Sequence, residues 1–293
     1  IKVAAPIEYK GLSEPCPNWL QFLNDVFCED PELIEFVQRI LGYSLIGQSI
    51  EHILIILWGI GRNGKGVLLD VLNYVLGPLA GSVQPELLLE QSRNKSSSGP
   101  SPDIMALKGK RLVWASETNE TRKLDVGRVK MLVGGDILTG RSPWGKYEIN
   151  FEPSHTLFLL TNHKPKVDPD DYALWQRLIL IPFQVSFVDN PTSNFEKQRD
   201  SDIATRLKDE APGILAWLVQ GCLKWQQEGL NPPEIVQAAV KEYRESEDIL
   251  GYFIDYKDER LLNKINKIFH ARIDRAQKMV EFLNENGIKI SYS

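Results

Sequence analysis

The feature that most constrains the fold is a glycine-rich segment between a strand-like and a helix-like stretch. Residues 59–66 read Gly-Ile-Gly-Arg-Asn-Gly-Lys-Gly and fit the pattern G-x-x-x-x-G-K. An apolar, β-branched run at 53–58 precedes them, and apolar residues at helical spacing follow from 67 to 76. Strand, glycine-rich turn and helix in this order predict a phosphate-binding loop in an α/β fold.

The predicted loop needs glycines because the backbone must wrap around phosphates in conformations that side chains block. Lys65 would add a full positive charge to the partial charges of the backbone N–H groups. The predicted nucleotide-binding residues are Gly59, Gly61, Asn63, Gly64, Lys65, Gly66 and Val67. Gly66 stands where the pattern has Ser or Thr, whose hydroxyl binds Mg²⁺, so water must take that place. The alternative is a glycine-rich turn with an incidental lysine.

Two polar residues at strand ends are candidates for catalysis. Glu117 closes the apolar strand predicted at 112–115, as a Walker B carboxylate that binds metal does. With one acid where many ATPases carry two, Glu117 would have to serve both the metal and the attacking water. Asn162 follows the strand predicted at 156–160 and could orient that water, which is the sensor role. The alternatives are a solvated strand end for Glu117 and a turn former for Asn162.

Arg177 precedes the last predicted core strand, at 178–183. An arginine at this position can reach the γ-phosphate bound by a neighbouring subunit, as an arginine finger. The alternative is a surface salt bridge.

A hairpin is predicted from two short strands, 137–141 and 147–151, around Ser-Pro-Trp-Gly-Lys. At its tip, Lys146 could neutralise a DNA phosphate and Trp144 could stack on a base. Arg141 and Lys130 are further DNA-binding candidates. Trp144 could instead be a hydrophobic plug under the hairpin, and Lys130 could instead pair with an acid.

Composition narrows the class of protein. The net charge of the 293 residues is −5, but residues 101–166 hold eleven Lys and Arg against seven Asp and Glu, which suits a polyanion site. Three scattered cysteines and four scattered histidines argue against a disulfide framework and a zinc cluster. No apolar run approaches the roughly 20 residues of a membrane span, and no secretory leader is visible. We therefore expect a cytoplasmic protein without a membrane partner, and the initial Ile1 suggests part of a longer chain.

The pattern of periodicity changes twice along the chain. Residues 17–46 are helical in pattern, the middle is rich in strands, and helical periodicity returns from about 203. The predicted domains are an N-terminal helical domain at 1–50, a nucleotide-binding core at 51–190 and a C-terminal helical domain at 191–293.

Taken in order, these motifs resemble those of superfamily 3 helicases. They look most like the C-terminal helicase region of phage and plasmid primases, a branch that includes the poxvirus primase-helicase. The resemblance spans roughly residues 17–255. The matching stretches are 41–45, 59–66, 109–117, 130–141, 161–165, 175–183 and 210–217.

The resemblance implies an AAA+ P-loop NTPase core, with a mainly parallel sheet, between helical flanks. It implies a replicative helicase that uses ATP and Mg²⁺ and assembles as a ring, usually a hexamer. Such rings translocate on single-stranded DNA at a fork, and an N-terminal primase or polymerase domain would be missing from this chain. The host cell of a phage or plasmid would be its location.

The roles of single residues follow from the same resemblance. Lys65 would bind phosphate, Glu117 would be the Walker B acid and Asn162 the sensor. Arg177 would act in trans and Lys146 would contact DNA in the channel of the ring. Two other readings stay open at this point: an ATP-gated DNA-binding or loader ring that does not unwind, and an unrelated phosphate-loop kinase.

Overall fold

The structure, a computed structural model, describes residues 3–91, 100–117, 119 and 122–254. The chain divides into two compact units, Ile1–Arg244 and Glu245–Ser293. In the second unit the described residues continue the last helix. Most of the polar stretch 91–102, and all residues beyond 254, lie outside the described residues.

Strands and helices alternate along the first unit. The strands are β1 (Leu54–Trp58), β2 (Ala80–Val83), β3 (Leu112–Glu117), β4 (Leu138–Gly140), β5 (Ile149–Phe151), β6 (Thr156–Thr161), β7 (Leu178–Pro182), β8 (Ser186–Val188) and β9 (Glu196–Gln198). The helices are α1 (Pro17–Val26), α2 (Pro31–Tyr43), α3 (Lys65–Leu76), α4 (Pro102–Met105), α5 (Val126–Val133), α6 (Tyr172–Trp175), α7 (Ile203–Asp209), α8 (Ala211–Glu228) and α9 (Glu234–Ile254). No helix within the described ranges combines the length and the apolar character needed to cross a membrane.

The centre of this unit is a parallel sheet of five strands in the order β2-β3-β6-β1-β7. Side chains alternate between its two faces, as the period of a strand requires. Ile55 and Leu57 face a core shared with α1, α2, α3 and α8, whereas Leu54 and Ile56 face a second core shared with α5 and α6. Because both faces are covered by helices, the strands read as continuous apolar runs. The α/β fold with a mainly parallel sheet is confirmed.

Helices α2 and α8 cross at two glycines. A Cβ atom at Gly42 would lie 2.1 Å from the amide nitrogen of Cys222, and one at Gly221 would lie 2.0 Å from the carbonyl oxygen of Gln38. The side chain of Gln38 donates to the carbonyl of Trp217 at 3.0 Å across the same contact. The two backbones therefore touch, and the segment before the glycine-rich loop is packed directly on the C-terminal segment.

Several contacts and elements were not predicted from the sequence. The Glu210 carboxylate accepts the backbone N–H groups of Asn18 and Trp19, both at 3.0 Å, so the residue that immediately precedes α8 also caps α1. Strands β2, β8 and β9 and the helices α4, α5 and α6 were also missed. The predicted domain boundaries at residues 50 and 190 stay predictions. Residues of α1 and α2, before the first boundary, share one core with residues of α8, after the second.

The close helix crossing predicts the effect of Gly221→Ala. A methyl group there meets backbone atoms of α2, and overpacking of this kind destabilises a protein by about 1–3 kcal/mol or more. We expect this cost to exceed the roughly 1 kcal/mol by which alanine stabilises a helix relative to glycine. We expect the free energy of unfolding, measured by urea denaturation, to fall by at least about 1 kcal/mol. The matched control is Gly127→Ala in α5, where the nearest atom to the new Cβ is a side-chain oxygen at 3.6 Å. Equal stability of the two variants would contradict the close crossing.

Candidate functional site

The glycine-rich loop runs from the end of β1 to the start of α3, as predicted. Gly64 has a φ of +87° and Arg62 a φ of +65°, so the chain turns back on itself before the helix begins. A Cβ atom at Gly59 would lie 2.2 Å from the carbonyl oxygen of Phe183, whereas Gly61 and Gly66 face open space. Gly59 and Gly64 are thus needed for local geometry, and Gly61 and Gly66 leave the mouth of the loop unobstructed.

Lys65 is the first residue of α3 and is only 6% exposed. Its Nζ atom donates to the carbonyl oxygen of Gly59 at 2.5 Å. Burial lowers the pKa of the ammonium group from 10.5 to about 8. Within the described part of the chain, no carboxylate forms a salt bridge with Lys65. A buried ammonium of this kind gains from the arrival of an anion.

The side chain of Asn63 has a structural role in the loop. Its side-chain amide donates to the carbonyl oxygen of Phe183 at 3.3 Å and is almost fully buried. This bond holds the loop against the residue that follows β7. Whether Asn63 also contacts a nucleotide stays a prediction.

Glu117 and Asn162 line the same cavity as Lys65. The cavity has a volume of about 380 Å³ and is bordered by Gly61, Arg62, Asn63, Gly64, Lys65, Gly66, Val67, Ser116, Glu117, Leu160, Thr161 and Asn162. The pairing register of the strands explains why these residues line one cavity, because Trp58 lies opposite Thr161, and Thr161 lies opposite Glu117. Asn162 comes directly after Thr161, in a tight turn in which the Thr161 hydroxyl bonds to the backbone of His163.

The Glu117 carboxylate is 7% exposed and already has partners. It accepts the backbone N–H of Asn119 at 2.8 Å, and the guanidinium of Arg122 lies 3.8 Å away. Arg122 is held in turn by backbone pairing with Lys166, beyond the sensor position. Sequence reasoning missed Arg122, because the pairing of 122–124 with 166 leaves no local pattern. A solvated strand end, the alternative for Glu117, is not what the structure shows.

Arg177 lies outside this cavity. It precedes β7 and its carbonyl accepts the N–H of Leu54, so it stands at the amino ends of the strands, opposite the glycine-rich loop. Its guanidinium donates to the carbonyl of Ala173 at 2.6 Å. The alternative reading, a surface salt bridge, is not seen among the described residues. The structure thus brings together Lys65, Glu117 and Asn162, and leaves Arg177 apart.

The predicted hairpin is present. Strands β4 and β5 pair antiparallel, and residues 141–148 connect them. Trp144, with a φ of +64°, is 100% exposed, so the interpretation of this side chain as a buried plug is wrong. Lys146 is also exposed, and Tyr147, which sequence reasoning did not single out, is 81% exposed. Arg141 begins this connection, and its backbone N–H bonds to the hydroxyl of Ser101.

Lys130, the fourth candidate for DNA binding, forms a salt bridge with Asp171. The Nζ atom lies 2.8 Å from the carboxylate. Hydrogen bonding to Lys130 lowers the pKa of Asp171. The pairing with an acid, which was the alternative for this residue, is therefore what the structure shows, and a contact with DNA stays a prediction.

The chain is similar to several viral proteins. It is 32% identical over 238 residues to a protein provisionally named helicase L207/L206 of Acanthamoeba polyphaga mimivirus. The matched region covers 78% of this chain and 24% of that protein. It is 26% identical over 262 residues to the provisionally named helicase 022R of Frog virus 3, covering 85% of this chain and 26% of the other. A provisionally named primase, C962R of African swine fever virus, is 30% identical over 160 residues, or 54% of this chain and 16% of that protein.

The chain is a homologue of viral proteins that carry provisional helicase and primase names. This agrees with the predicted resemblance to the superfamily 3 helicase region of primase-helicases. The chain spans about a quarter of the length of the mimivirus and Frog virus 3 proteins. No protein-family model matches the sequence.

The fold has a solved counterpart. The C-terminal region of NrS-1 superposes with a TM-score of 0.55 at 17% identity, covering 88% of this chain and 60% of that one. This likeness concerns the fold alone.

Proposed function

We propose that this chain is the ATP-dependent DNA helicase module of a viral, phage or plasmid primase-helicase. One observation carries the proposal: Lys65 is buried without a carboxylate partner among the described residues, in the cavity where Glu117 and Asn162 also lie. A buried cation, an acid and an amide around one open space are the groups that hydrolysis of a nucleoside triphosphate needs. The homology to viral helicases and primases supports the same reaction.

The residues present fit ATP and Mg²⁺. The loop backbone and Lys65 would hold the phosphates, and the open space at Gly66 leaves room for water on the metal. Glu117 would bind Mg²⁺ and take a proton from the attacking water, and Asn162 would orient that water. A bound Mg²⁺ supplies Lewis acidity at the phosphoryl group. Among the described residues, no group of three His, Cys, Asp or Glu side chains could hold a metal ion alone, so phosphate oxygens and water would complete the coordination of Mg²⁺.

Assembly into a ring would complete the site. Arg177 lies at the opposite edge of the sheet from Lys65 and therefore cannot reach the phosphates of its own subunit. As an arginine finger it would act on a neighbouring subunit, which couples hydrolysis to the formation of a homo-hexamer. An AAA+ ring of this kind would place the tip at Trp144 and Lys146 on single-stranded DNA. Because the viral relatives are about four times longer than the matched region, we expect a primase or polymerase domain elsewhere in the full protein.

A ring that binds ATP and DNA without unwinding is the second candidate. Gly66 lacks the hydroxyl that would bind Mg²⁺, and Glu117 would serve alone. Slow turnover with intact ATP binding would favour this function. A phosphate-loop kinase is less well supported, because the homologues are named for helicase and primase functions.

Lys65→Ala tests the nucleotide site. We expect wild-type hydrolysis of ATP to be stimulated by single-stranded DNA and the variant to lose at least about 100-fold, because the alanine leaves the phosphate charge without its cation. The measurement is phosphate release with and without DNA. Lys241→Ala, which removes an exposed lysine on α9, is the control and should behave as wild type. Equal activity of Lys65→Ala and wild type would refute the site.

Gly66→Thr tests the metal site. Because a Cβ atom at this position would meet no atom within 4 Å, a threonine should fit and add a hydroxyl ligand to Mg²⁺. We expect the Mg²⁺ concentration for half-maximal hydrolysis to fall about 10-fold. Gly66→Val has the same shape without the hydroxyl and should not show the fall. A fall of equal size in both variants would show that the effect comes from shape rather than from a metal ligand.

Lys146→Ala tests the hairpin. We expect hydrolysis without DNA to stay at the wild-type rate, because Lys146 lies outside the nucleotide cavity. Unwinding of a forked duplex should be lost, since the variant lacks the cation that holds the DNA phosphate. Strand separation measured by fluorescence, with Lys241→Ala as control, distinguishes the outcomes. Unwinding at the wild-type rate would remove this residue from the DNA contact.

A further inference from the structure

The first half of helix α9 packs against the chain that follows the sensor position. Tyr243 of this helix is fully buried, and its hydroxyl donates to the carbonyl oxygen of Pro165. At the next residue of α9, the Nε atom of Arg244 donates to the carbonyl oxygen of Pro169 at 3.1 Å. Helix α9 thus binds residues 163–169, the post-sensor segment, at two points.

Aromatic contacts fix the ring of Tyr243 in the same place. The ring of Trp175 meets it edge to face, with the centroids 5.0 Å apart, and the Trp175 indole N–H donates to the carbonyl oxygen of Asp168 at 2.9 Å. The ammonium group of Lys164 lies 5.5 Å from the centroid of the Tyr243 ring and 4.3 Å from that of Trp58. Trp58 is the last residue of β1, immediately before the glycine-rich loop. Tyr243 therefore packs where the post-sensor segment meets the end of β1.

The post-sensor segment supports two of the candidate catalytic groups. It begins directly after Asn162, which borders the nucleotide cavity. In its middle, the backbone N–H of Lys166 donates to the carbonyl oxygen of Arg122 at 2.8 Å, and the Lys166 carbonyl accepts the N–H of Leu124 at 3.0 Å. The Arg122 guanidinium lies 3.8 Å from the Glu117 carboxylate. A shift of the segment would therefore move Asn162 and the surroundings of Glu117 together.

We propose that Tyr243 is a positioning residue for ATP hydrolysis, which holds the post-sensor segment so that Asn162 and Glu117 face the phosphates. The inference rests on the proposed function, because it requires hydrolysis in the nucleotide cavity. Tyr243 does not line that cavity and acts through the carbonyl of Pro165. The glycine-rich loop and Lys65 are carried by β1 and α3, so the phosphates are bound by a different part of the chain. Tyr243 thus controls the rate of the reaction rather than the affinity for ATP.

Tyr243→Phe tests this role, since the variant keeps the aromatic ring against Trp175 and removes only the hydroxyl. We expect the kcat of ATP hydrolysis to fall at least about 10-fold, because small displacements of catalytic groups are costly to the rate. The affinity for a non-hydrolysable ATP analogue should stay at the wild-type value. The measurements are phosphate release at saturating ATP and calorimetric titration of the analogue. A wild-type kcat, or a loss of affinity as large as the loss of kcat, would overturn the proposal.

Tyr43→Phe is the matched control for a loss of stability. Tyr43 is 2% exposed, and its hydroxyl donates to the carbonyl oxygen of Gln48 at 2.9 Å, so this variant also removes a bonded hydroxyl from a buried tyrosine. It lies outside the nucleotide cavity and should hydrolyse ATP with the wild-type kcat. An equal fall of kcat in Tyr43→Phe and Tyr243→Phe would show that Tyr243 acts on stability alone.

A double variant, Tyr243→Phe with Asn162→Ala, tests whether the effect passes through the sensor position. Because the two residues would act as one unit, the loss of kcat in the double variant should be smaller than the product of the losses in the single variants. Losses that multiply would show that Tyr243 acts independently of Asn162, which contradicts the assignment.

Hydrogen exchange separates this inference from the proposed function. In Tyr243→Phe, the backbone amides of residues 161–169 should exchange faster than in wild type, whereas those of residues 59–66 should exchange as before. Unchanged exchange at 161–169 would show that Tyr243 does not hold the segment, whether or not the protein hydrolyses ATP. If wild-type protein hydrolyses no ATP, the proposed function and the catalytic role of Tyr243 both fail. If only Tyr243→Phe behaves unexpectedly and keeps the wild-type kcat, the inference fails and the proposed function stands.

Discussion

The parallel pairing of β1 with β6, and of β6 with β3, determines where every candidate catalytic group lies. Parallel strands end at the same edge of a sheet, so Trp58, Thr161 and Glu117 come into line across three neighbouring strands. Each strand then delivers one group to that edge: the glycine-rich loop after β1, Glu117 at the end of β3 and Asn162 after β6. A residue that precedes a strand, as Arg177 does, is carried to the opposite edge by the same geometry.

Helices that flank the sheet also shape the cavity at the glycine-rich loop. Val26 of α1 packs so closely on the loop that a Cβ atom at Gly64 would lie 2.8 Å from its methyl group. Helix α1 is capped by Glu210 at the start of α8, and α8 crosses α2 at Gly42 and Gly221. Helix α1 is thus packed on the loop and, together with α2, on α8. We expect a change in the packing of α1 to shift the position of the loop.

Much of the fold could be predicted because its strongest signals are local. The glycine-rich loop, the flanking strand and helix, the hairpin and the strand ends at Glu117 and Asn162 are each encoded within a few residues. The contacts that were missed join distant parts of the chain: Arg122 beside Glu117 is placed by pairing with Lys166, and Phe187 by a bond to Arg62. Short strands such as β8 and β9 lack a periodic pattern, since three residues are too few to show alternation.

The central proposal is that the buried Lys65 ammonium binds the phosphates of ATP. The most direct measurement is a crystal structure of the protein with Mg²⁺ and a non-hydrolysable ATP analogue. Our account predicts that the Nζ atom leaves the Gly59 carbonyl for the β- and γ-phosphate oxygens, with Mg²⁺ between the phosphates and Glu117. An analogue bound elsewhere, with Lys65 still on the Gly59 carbonyl, would contradict the account.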